Sequence, residues 1–555
     1  MRLKKSGHVA IAFFAALLWI WGSLQTLDGL ARAQPPPPAP TGATGDPFNG
    51  AACPFGFGLW PPAEITRQVV PAAGVGACWV RVNVYWDEIE PLKTTPRTYH
   101  WAETDSRLLS VRQAGLEPVA LVGANPAWAA DTPGGPVTDT QDIVDFLSAL
   151  AERYDGDGIA DAPGSPQVTV WELYNEPDNI HLRFRGFGVW GNNAAGYARF
   201  LATARAALRA TNPNALVAIG GLGHEDTPNF DYNFPQTLFA YIRDNPGDYF
   251  DYFNFHYYSS FGHRYAAWGP DISGKTNYLR DMMAGYGLDW PIIVTESGLW
   301  SSGGVTIPGS YETQARYVAQ LYSRIIALDV AVSMWLQLLD LPPGSPVIVN
   351  PERGISDYHG VPKPAHNAYR VATGKLTGVR FDRSLRPAEM GSSQAEGYRF
   401  SGPNEGRQLY VVWATDEGAT GRLRVKTPAA YVSDKLAAEF PMSPTLAYVA
   451  PYLALDADDG TADGWTTVPF GPSPIYVEVA RTLTVCPAGP PACNFSDIQT
   501  AADAAIEGDT VKVATGVYTA VAPHTSPAGY SGPPVISQVV YLDTSIILRG
   551  GYTTT

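Results

Sequence analysis

Val168 to Asp178 reads VTVWELYNEPD, and Pro291 to Gly298 reads PIIVTESG. Each holds an apolar β-rich run, Val168 to Tyr174 and Ile292 to Glu296, that leads to a glutamate, Glu176 just after the first and Glu296 at the end of the second. Further runs of the same kind frame them: Phe55 to Trp60, Cys78 to Trp86, Pro118 to Ala124, Leu216 to Gly221, Tyr252 to Tyr258 and Val330 to Leu336. Between them lie longer amphipathic stretches such as Thr140 to Tyr154, Ala194 to Thr211 and Tyr311 to Leu328, with Pro364 to Leu376 as the last. Short β runs alternating with helical ones predict parallel βα units, and a count of eight predicts an α/β fold, a (β/α)8 TIM barrel over residues 52–376. Barrels of this kind build their sites at the C-terminal ends of the strands, so both glutamates belong to one rim.

Strand alternation supports a barrel with a polar interior. In the second run Val80, Val82 and Val84 share one face, while Arg81, Asn83 and Tyr85 share the other. The valines are expected to meet helices and the polar set to line the interior, where burial is tolerated only if polar groups pair with one another. Glu172 has the alternation parity of Glu176 and lies deeper, as a partner for interior cations.

Two carboxylates on one rim are the apparatus of glycosidic bond chemistry, in which one holds a proton and the other is ionised. A separation of about 5 to 5.5 Å would make one the nucleophile and give retention of configuration. Each glutamate has a plainer reading: a helix-start acid for Glu176, since Pro177 follows it, and a buried ion pair with Arg81 or His256 for Glu296.

Together these motifs resemble clan A of the retaining glycoside hydrolases, including the β-xylosidase and α-L-iduronidase family and related cellulase-like families. The resemblance rests on Asn175-Glu176-Pro177 at the fourth strand, Glu296 at the seventh, and matching residues on strands two, six and eight. It implies Glu176 as general acid/base, Glu296 as nucleophile, and Asn175 on the sugar 2-hydroxyl. His256 and Tyr258 fall on the clan's His-x-Tyr pattern, the tyrosine touching the nucleophile. Arg81 resembles the arginine that keeps the nucleophile ionised, and Trp335 resembles the platform beneath the reacting sugar. Trp128, in ANPAW after the third strand, is a further candidate sugar platform by position. No cofactor is required by this chemistry.

Composition points the same way. Charged residues are 16 % of the 555, against about 25 % in an average globular chain, so large cores can be buried and disorder is excluded for most of it. A net charge of −15 leaves nothing to neutralise a phosphate backbone, which excludes nucleic acid as a partner. The 29 Tyr and 15 Trp suit ligands that are half apolar, as sugars are. Carbohydrate, as an oligo- or polysaccharide, is the expected partner.

The ends of the chain carry other signals. Residues 1–33 read as a signal peptide, with Arg2, Lys4 and Lys5 before an apolar stretch and Ala31-Arg32-Ala33 as the cleavage site; left uncleaved, the segment would anchor the protein at a membrane or cell surface. Secretion is the expectation. Residues 34–51 are a proline-rich linker. Cys53 with Cys78 and Cys486 with Cys493 form two local pairs, read as disulfides, with two buried thiols the alternative for the first. Asp155, Asp157 and Asp161 in DGDGIAD have the spacing of a small calcium loop, for a structural ion, or of a solvated turn. Residues 377–480 lose helical periodicity and predict a β-sandwich closed by Pro474 to Val479. Residues 481–555 resemble the opening of a pectate-lyase-like, right-handed parallel β-helix, with one or two rungs that read as the start of a longer one. The rival readings are a transglycosylase with the same pair, a catalytically silent carbohydrate-binding or adhesion protein, and a lyase acting through the β-helix.

Overall fold

The computed structural model describes residues 48, 53–59, 64–130, 135–180, 190–224, 228–303, 309–343, 352–402, 407–437, 451–490, 492–505, 509–525, 535–538, 540–542 and 546–552. The expected signal peptide and nearly all of the linker lie outside them. Among the described residues, no helix is long and apolar enough to cross a membrane. The chain divides into two compact units, Met1–Thr377 and Gly378–Thr555.

The first unit carries strands β1 (Phe55–Gly58), β2 (Trp79–Tyr85), β3 (Glu117–Gly123), β4 (Val170–Leu173), β5 (Leu216–Ile219), β6 (Phe253–Tyr258), β7 (Ile292–Gly298) and β8 (Val330–Leu336). Its helices are α1 (Ile65–Gly74), α2 (Trp86–Ile89), α3 (Ala102–Gln113), α4 (Thr140–Arg153), α5 (Ala194–Thr211), α6 (Phe234–Asp244), α7 (Ile272–Gly285), α8 (Tyr311–Ala327) and α9 (Pro364–Leu376). The strands form one parallel eight-stranded sheet in the order β5-β4-β3-β2-β1-β8-β7-β6. Single parallel bridges, Ala218 with Tyr252 and Leu222 with Phe255, bring β5 against β6 and close the ring. The expected barrel is therefore present.

Alternation sorts each strand into the two sides of the wall. On β1, Phe55 and Phe57 face outward onto Tyr322 of α8 and Tyr369 of α9, with ring centroids 4.1 and 4.6 Å apart. Inside, Trp79, Val119, Val170, Ala218, Tyr252, Ile293, Val332 and Met334 pack into an apolar floor. Two residues further along several of these strands stand Arg81, Glu172, Asn254 and Thr295, all buried and hydrogen-bonded to one another. A polar layer thus rests on an apolar one, and the candidate site rests on both. Cys53 and Cys78 form a disulfide.

The second unit opens with a six-stranded antiparallel sheet beside a two-stranded pair. Its strands are β9 (Arg380–Ser384), β10 (Ala395–Ser401), β11 (Gln408–Ala414), β12 (Gly421–Val425), β13 (Ala429–Asp434), β14 (Tyr452–Leu455), β15 (Thr466–Phe470) and β16 (Ile475–Val479). Leu423, Val425 and Val468 of the pair share a core with Val412, Val432 and Val477 of the larger sheet, so the antiparallel sheets pack face to face. β16 lies inside the sheet between β13 and β11, so the run expected to close the domain forms part of its centre.

Beyond it β17 (Thr482–Val485), β18 (Thr510–Ala514) and β21 (Ile547–Tyr552) make a parallel three-stranded ladder, with a short helix α10 (Ile498–Asp503) and the antiparallel pair β19 (Ala522–Thr525) and β20 (Val535–Gln538). Cys486 and Cys493 are joined. That ladder is as far as the described residues go towards the expected coils, and the β-helix itself is not shown.

Candidate active site

Arg81 organises the polar layer. Its Nε and Nη2 donate to the two oxygens of Glu172 at 2.7 and 2.8 Å, Nη2 also reaches Asn175 Oδ1 at 2.6 Å, and Nη1 donates to Glu296 Oε1 at 2.7 Å. One guanidinium therefore ties strand β2 to β4 and β7, using the planar fork that suits Arg for buried carboxylates. Glu172 Oε1 also accepts from Gly221 N, Asn254 Nδ2 and Thr295 Oγ1. Glu172 is thus held by the scaffold as an interior partner of the Arg81 cation.

Glu176 and Glu296 stand above this layer, 8 and 6 % exposed. An oxygen of each and a ring nitrogen of His256 all lie within 4.8 Å of one another. His256 Nδ1 is 3.1 Å from Glu176 Oε1 and 3.7 Å from Glu296 Oε2, and Nε2 is 3.3 Å from Thr295 Oγ1. The helix-start reading of Glu176 does not hold, because Pro177 and Asp178 enter a turn and not a helix. The backbone of Glu176 is at φ 43° and that of Tyr174 at φ 67°, a left-handed conformation that costs non-glycine residues energy and clusters at functional sites. Its N–H donates to the Gly221 carbonyl. A Cβ at Gly221 would come within 2.1 Å of His256 Nε2, so only glycine lets the backbone pass so close to the imidazole.

A bulge aims Glu296. Between Asn254 and His256 on β6 and Ile293 and Glu296 on β7, the partner strand carries one residue more. Strict alternation from Ile293 would turn Thr295 inward and Glu296 outward; the extra residue lets both face the interior and places Glu296 opposite His256. Tyr258 then donates its hydroxyl to Glu296 Oε2 at 2.8 Å. Burial by itself would lift the Glu296 carboxyl, but interaction with His256 and Arg81, the Tyr258 hydrogen bond and Arg353 together hold it below the ordinary glutamate range. Burial and the Glu296 charge push the Tyr258 phenol far above its usual range, so it stays a donor.

Both oxygens of Glu296 are thus engaged, Oε1 by Arg81 and Oε2 by Tyr258. That leaves little of Glu296 to share with a metal ion, although Glu176, His256 and Glu296 have ligand atoms close enough to form a set. Asn175 Nδ2 is buried with no partner among the described residues, while its Oδ1 is held by Arg81. A fixed, unpaired amide donor beside two carboxylates is what a sugar hydroxyl would satisfy.

Two expected residues stand elsewhere. Trp335 is fully buried on the outer side of β8, its indole N–H on the Arg353 carbonyl at 3.0 Å and its ring 6.0 Å from that of Tyr317 on α8. It presents no face to a sugar. Alternation explains the correction: Met334 belongs to the interior floor, so its neighbour Trp335 points out and Leu336 back in, where it would meet a Cβ at Gly58. Trp128 donates to the Glu90 carbonyl, and its ring lies 5.6 Å from Lys93 Nζ and 5.5 Å from the Arg97 guanidinium. Cations engage its ring there.

Reading the sequence missed Asn254, Thr295, Asp178 and Arg353. Asp178 accepts from the backbone N–H of Gly223 and His224 at 3.1 and 2.6 Å, pinning the segment after β5 beside Glu176. Burial pushes its carboxyl up to about 7, against those hydrogen bonds and with the Glu176 charge adding to the rise. Asp155, Asp157 and Asp161 converge in a separate loop, with one oxygen of each within 4.8 Å of the others. Asp161 Oδ1 is buried there without a hydrogen-bond partner among the described residues, and burial together with Asp157 and Asp161 raises the Asp155 carboxyl.

No protein-family model matches the chain, and no curated protein matches it in sequence. Solved structures do resemble it. A family 39 glycoside hydrolase from Bacteroides cellulosilyticus WH2 superposes with a TM-score of 0.55 at 18 % identity, covering 78 % of this chain and 82 % of that one. A family 39 enzyme from Xanthomonas axonopodis pv. citri gives 0.53 at 15 %, over 77 % and 93 %. A conserved exported protein from Bacteroides fragilis gives 0.51 at 10 %, over 77 % and 96 %. At these identities the likeness carries the fold, which is that of (β/α)8 glycoside hydrolases followed by antiparallel sheets.

Proposed function

We propose that the protein is a secreted, retaining glycoside hydrolase that cleaves O-glycosidic bonds of oligo- or polysaccharides by double displacement. The observation that carries this reading is the placement of Glu176 and Glu296 about His256, with one oxygen of each within 4.8 Å of the other, which is compatible with the roughly 5 to 5.5 Å carboxyl separation of a retaining pair. Glu296, held ionised by Arg81 and Tyr258, attacks the anomeric carbon. Glu176 protonates the departing oxygen, then takes a proton from the water that hydrolyses the glycosyl-enzyme. The Asn175 amide donates to the 2-hydroxyl, a contact that strengthens towards the transition state.

Time-resolved mass spectrometry of the protein with a panel of activated 2-fluoro glycosides tests this. One glycosyl mass should add to Glu296 in the wild type and be absent from Glu296→Gln. Folded wild type that stays unlabelled by every glycone would turn the reading towards a silent carbohydrate-binding protein.

We also propose a structural cation, of calcium type, among Asp155, Asp157 and Asp161. The unpartnered Asp161 oxygen and the mutual repulsion at Asp155 both fit such an ion. Millimolar calcium should raise the melting temperature and a chelator should lower it, with neither acting on Asp157→Asn. Equal melting with calcium and with chelator would remove the ion from the proposal.

A further inference from the structure

Arg353 lies in the segment after β8, and its main chain is pinned independently of its side chain. Its carbonyl accepts from Trp335 Nε1 at 3.0 Å and Gln314 Nε2 at 3.3 Å. On either side, Ser301 N donates to the Glu352 carbonyl, and Gly354 N to Asp340, itself paired with the buried Lys363. The guanidinium is free to serve something else. It lies 4.9 Å over the Tyr258 ring, and Nη1 donates to the Tyr258 hydroxyl at 3.3 Å. The residue is 6 % exposed, its Nε has no partner, and no carboxylate stands within ion-pair distance of it among the described residues.

A buried cation without a carboxylate beside it is costly, and arginine is seldom buried unpaired. The negative charge that answers it is one hydroxyl away. Arg353 donates to Tyr258, and Tyr258 donates to Glu296 Oε2. In such a chain each bond polarises the next, so the phenol donates more strongly than it would alone.

We propose that Arg353 is a positioning residue that acts through Tyr258 to stabilise Glu296 as a carboxylate, against both its protonated and its glycosylated forms. This rests on the retaining reading above. In the second displacement the bond from the anomeric carbon to Glu296 breaks and its electron pair returns to the carboxylate. The water oxygen bonds to that carbon, and the water proton passes to Glu176. A relay that favours the free carboxylate makes Glu296 a better leaving group in that step. It does so at the expense of some nucleophilicity in the first. Other charged and titratable groups face Glu296 too: Arg81 from β2 with Glu172 behind it, Glu176 after β4, and His256 and Tyr258 from β6.

The test uses the full chain as Arg353→Met, Arg353→Lys and Tyr258→Phe, each also in a Glu296→Gln background. Without substrate, thermal unfolding is followed from neutral to acid pH. Arg353→Met should lower the melting temperature most where Glu296 is ionised, and that pH dependence should vanish with Glu296→Gln and shrink with Tyr258→Phe. With the unfluorinated aryl glycoside of the glycone that labels the wild type, kcat and KM should fall together about tenfold as the glycosyl-enzyme accumulates. The acid limb of kcat/KM should rise by about one pH unit, and Arg353→Lys should restore part of it. A melting loss that is the same at every pH and indifferent to residue 296 would reduce Arg353 to packing and overturn the proposal. A pH-dependent link to Glu296 in a wild type that no glycoside labels would uphold the relay and overturn the retaining reading instead.

Discussion

Glu176→Ala should lower kcat by about 10²- to 10⁴-fold on substrates with poor leaving groups, and far less on dinitrophenyl glycosides. The asymmetry follows from the geometry. Glu176 stands opposite Glu296 across His256, so on the proposed roles its removal takes away protonation of the departing oxygen and leaves the attacking carboxylate held by Arg81 and Tyr258. A leaving group that needs no proton still departs. The glycosyl-enzyme then waits for water that nothing activates, so it should accumulate. Azide, a nucleophile that needs no base, should restore turnover and give a glycosyl azide of retained configuration. Glu296→Ala should behave otherwise, with no adduct and, where azide rescues it, a product of inverted configuration. Equal loss on good and poor leaving groups, without azide rescue, would remove Glu176 from the acid/base role.

Arg81→Met should cost about 3 to 5 kcal/mol of stability, read as a fall in the urea midpoint at neutral pH. The cation pairs Glu172, which is fully buried, and Glu296, which is nearly so, and each would keep a negative charge with no guanidinium beside it. The pH dependence has a definite sign. Glu296 titrates in the folded wild type below its unfolded value of about 4.3, so its contribution is complete above that value and is lost as the pH falls through the folded one. The gap between wild type and Arg81→Met should therefore be widest above about pH 4.5 and narrow below it. Arg81→Lys should recover only part of it, because an ammonium cannot span Glu172, Asn175 and Glu296 as the fork does. A gap that stays constant into acid would mean that Arg81 serves packing and not the ionisation of Glu296.

The candidate site was legible where function follows local pattern. The runs ending at Glu176 and Glu296 are continuous segments, and their alternation with amphipathic helices is enough to count a barrel and bring the two ends to one rim. Parity on β2 turned Arg81 inward, and parity on β4 placed Glu172 beneath Glu176. The same rule, applied to β8, would have turned Trp335 outward. That misplacement came from carrying a family role over to a residue whose strand parity speaks against it.

The sequence by itself therefore determined the order of strands and helices, the polar face of β2 and the two carboxylates at strand ends, because each depends on neighbours a few residues away. Tertiary structure decided the rest. The bulge that turns Glu296 inward arises from the pairing of β6 with β7 and leaves no mark on either strand alone. Arg353 sits in a segment without periodicity, and what it does is set by Tyr258, 95 residues away along the chain and 3.3 Å away in space. Charge and hydrogen bonding act through distance in space, and only the closed barrel makes such distances short.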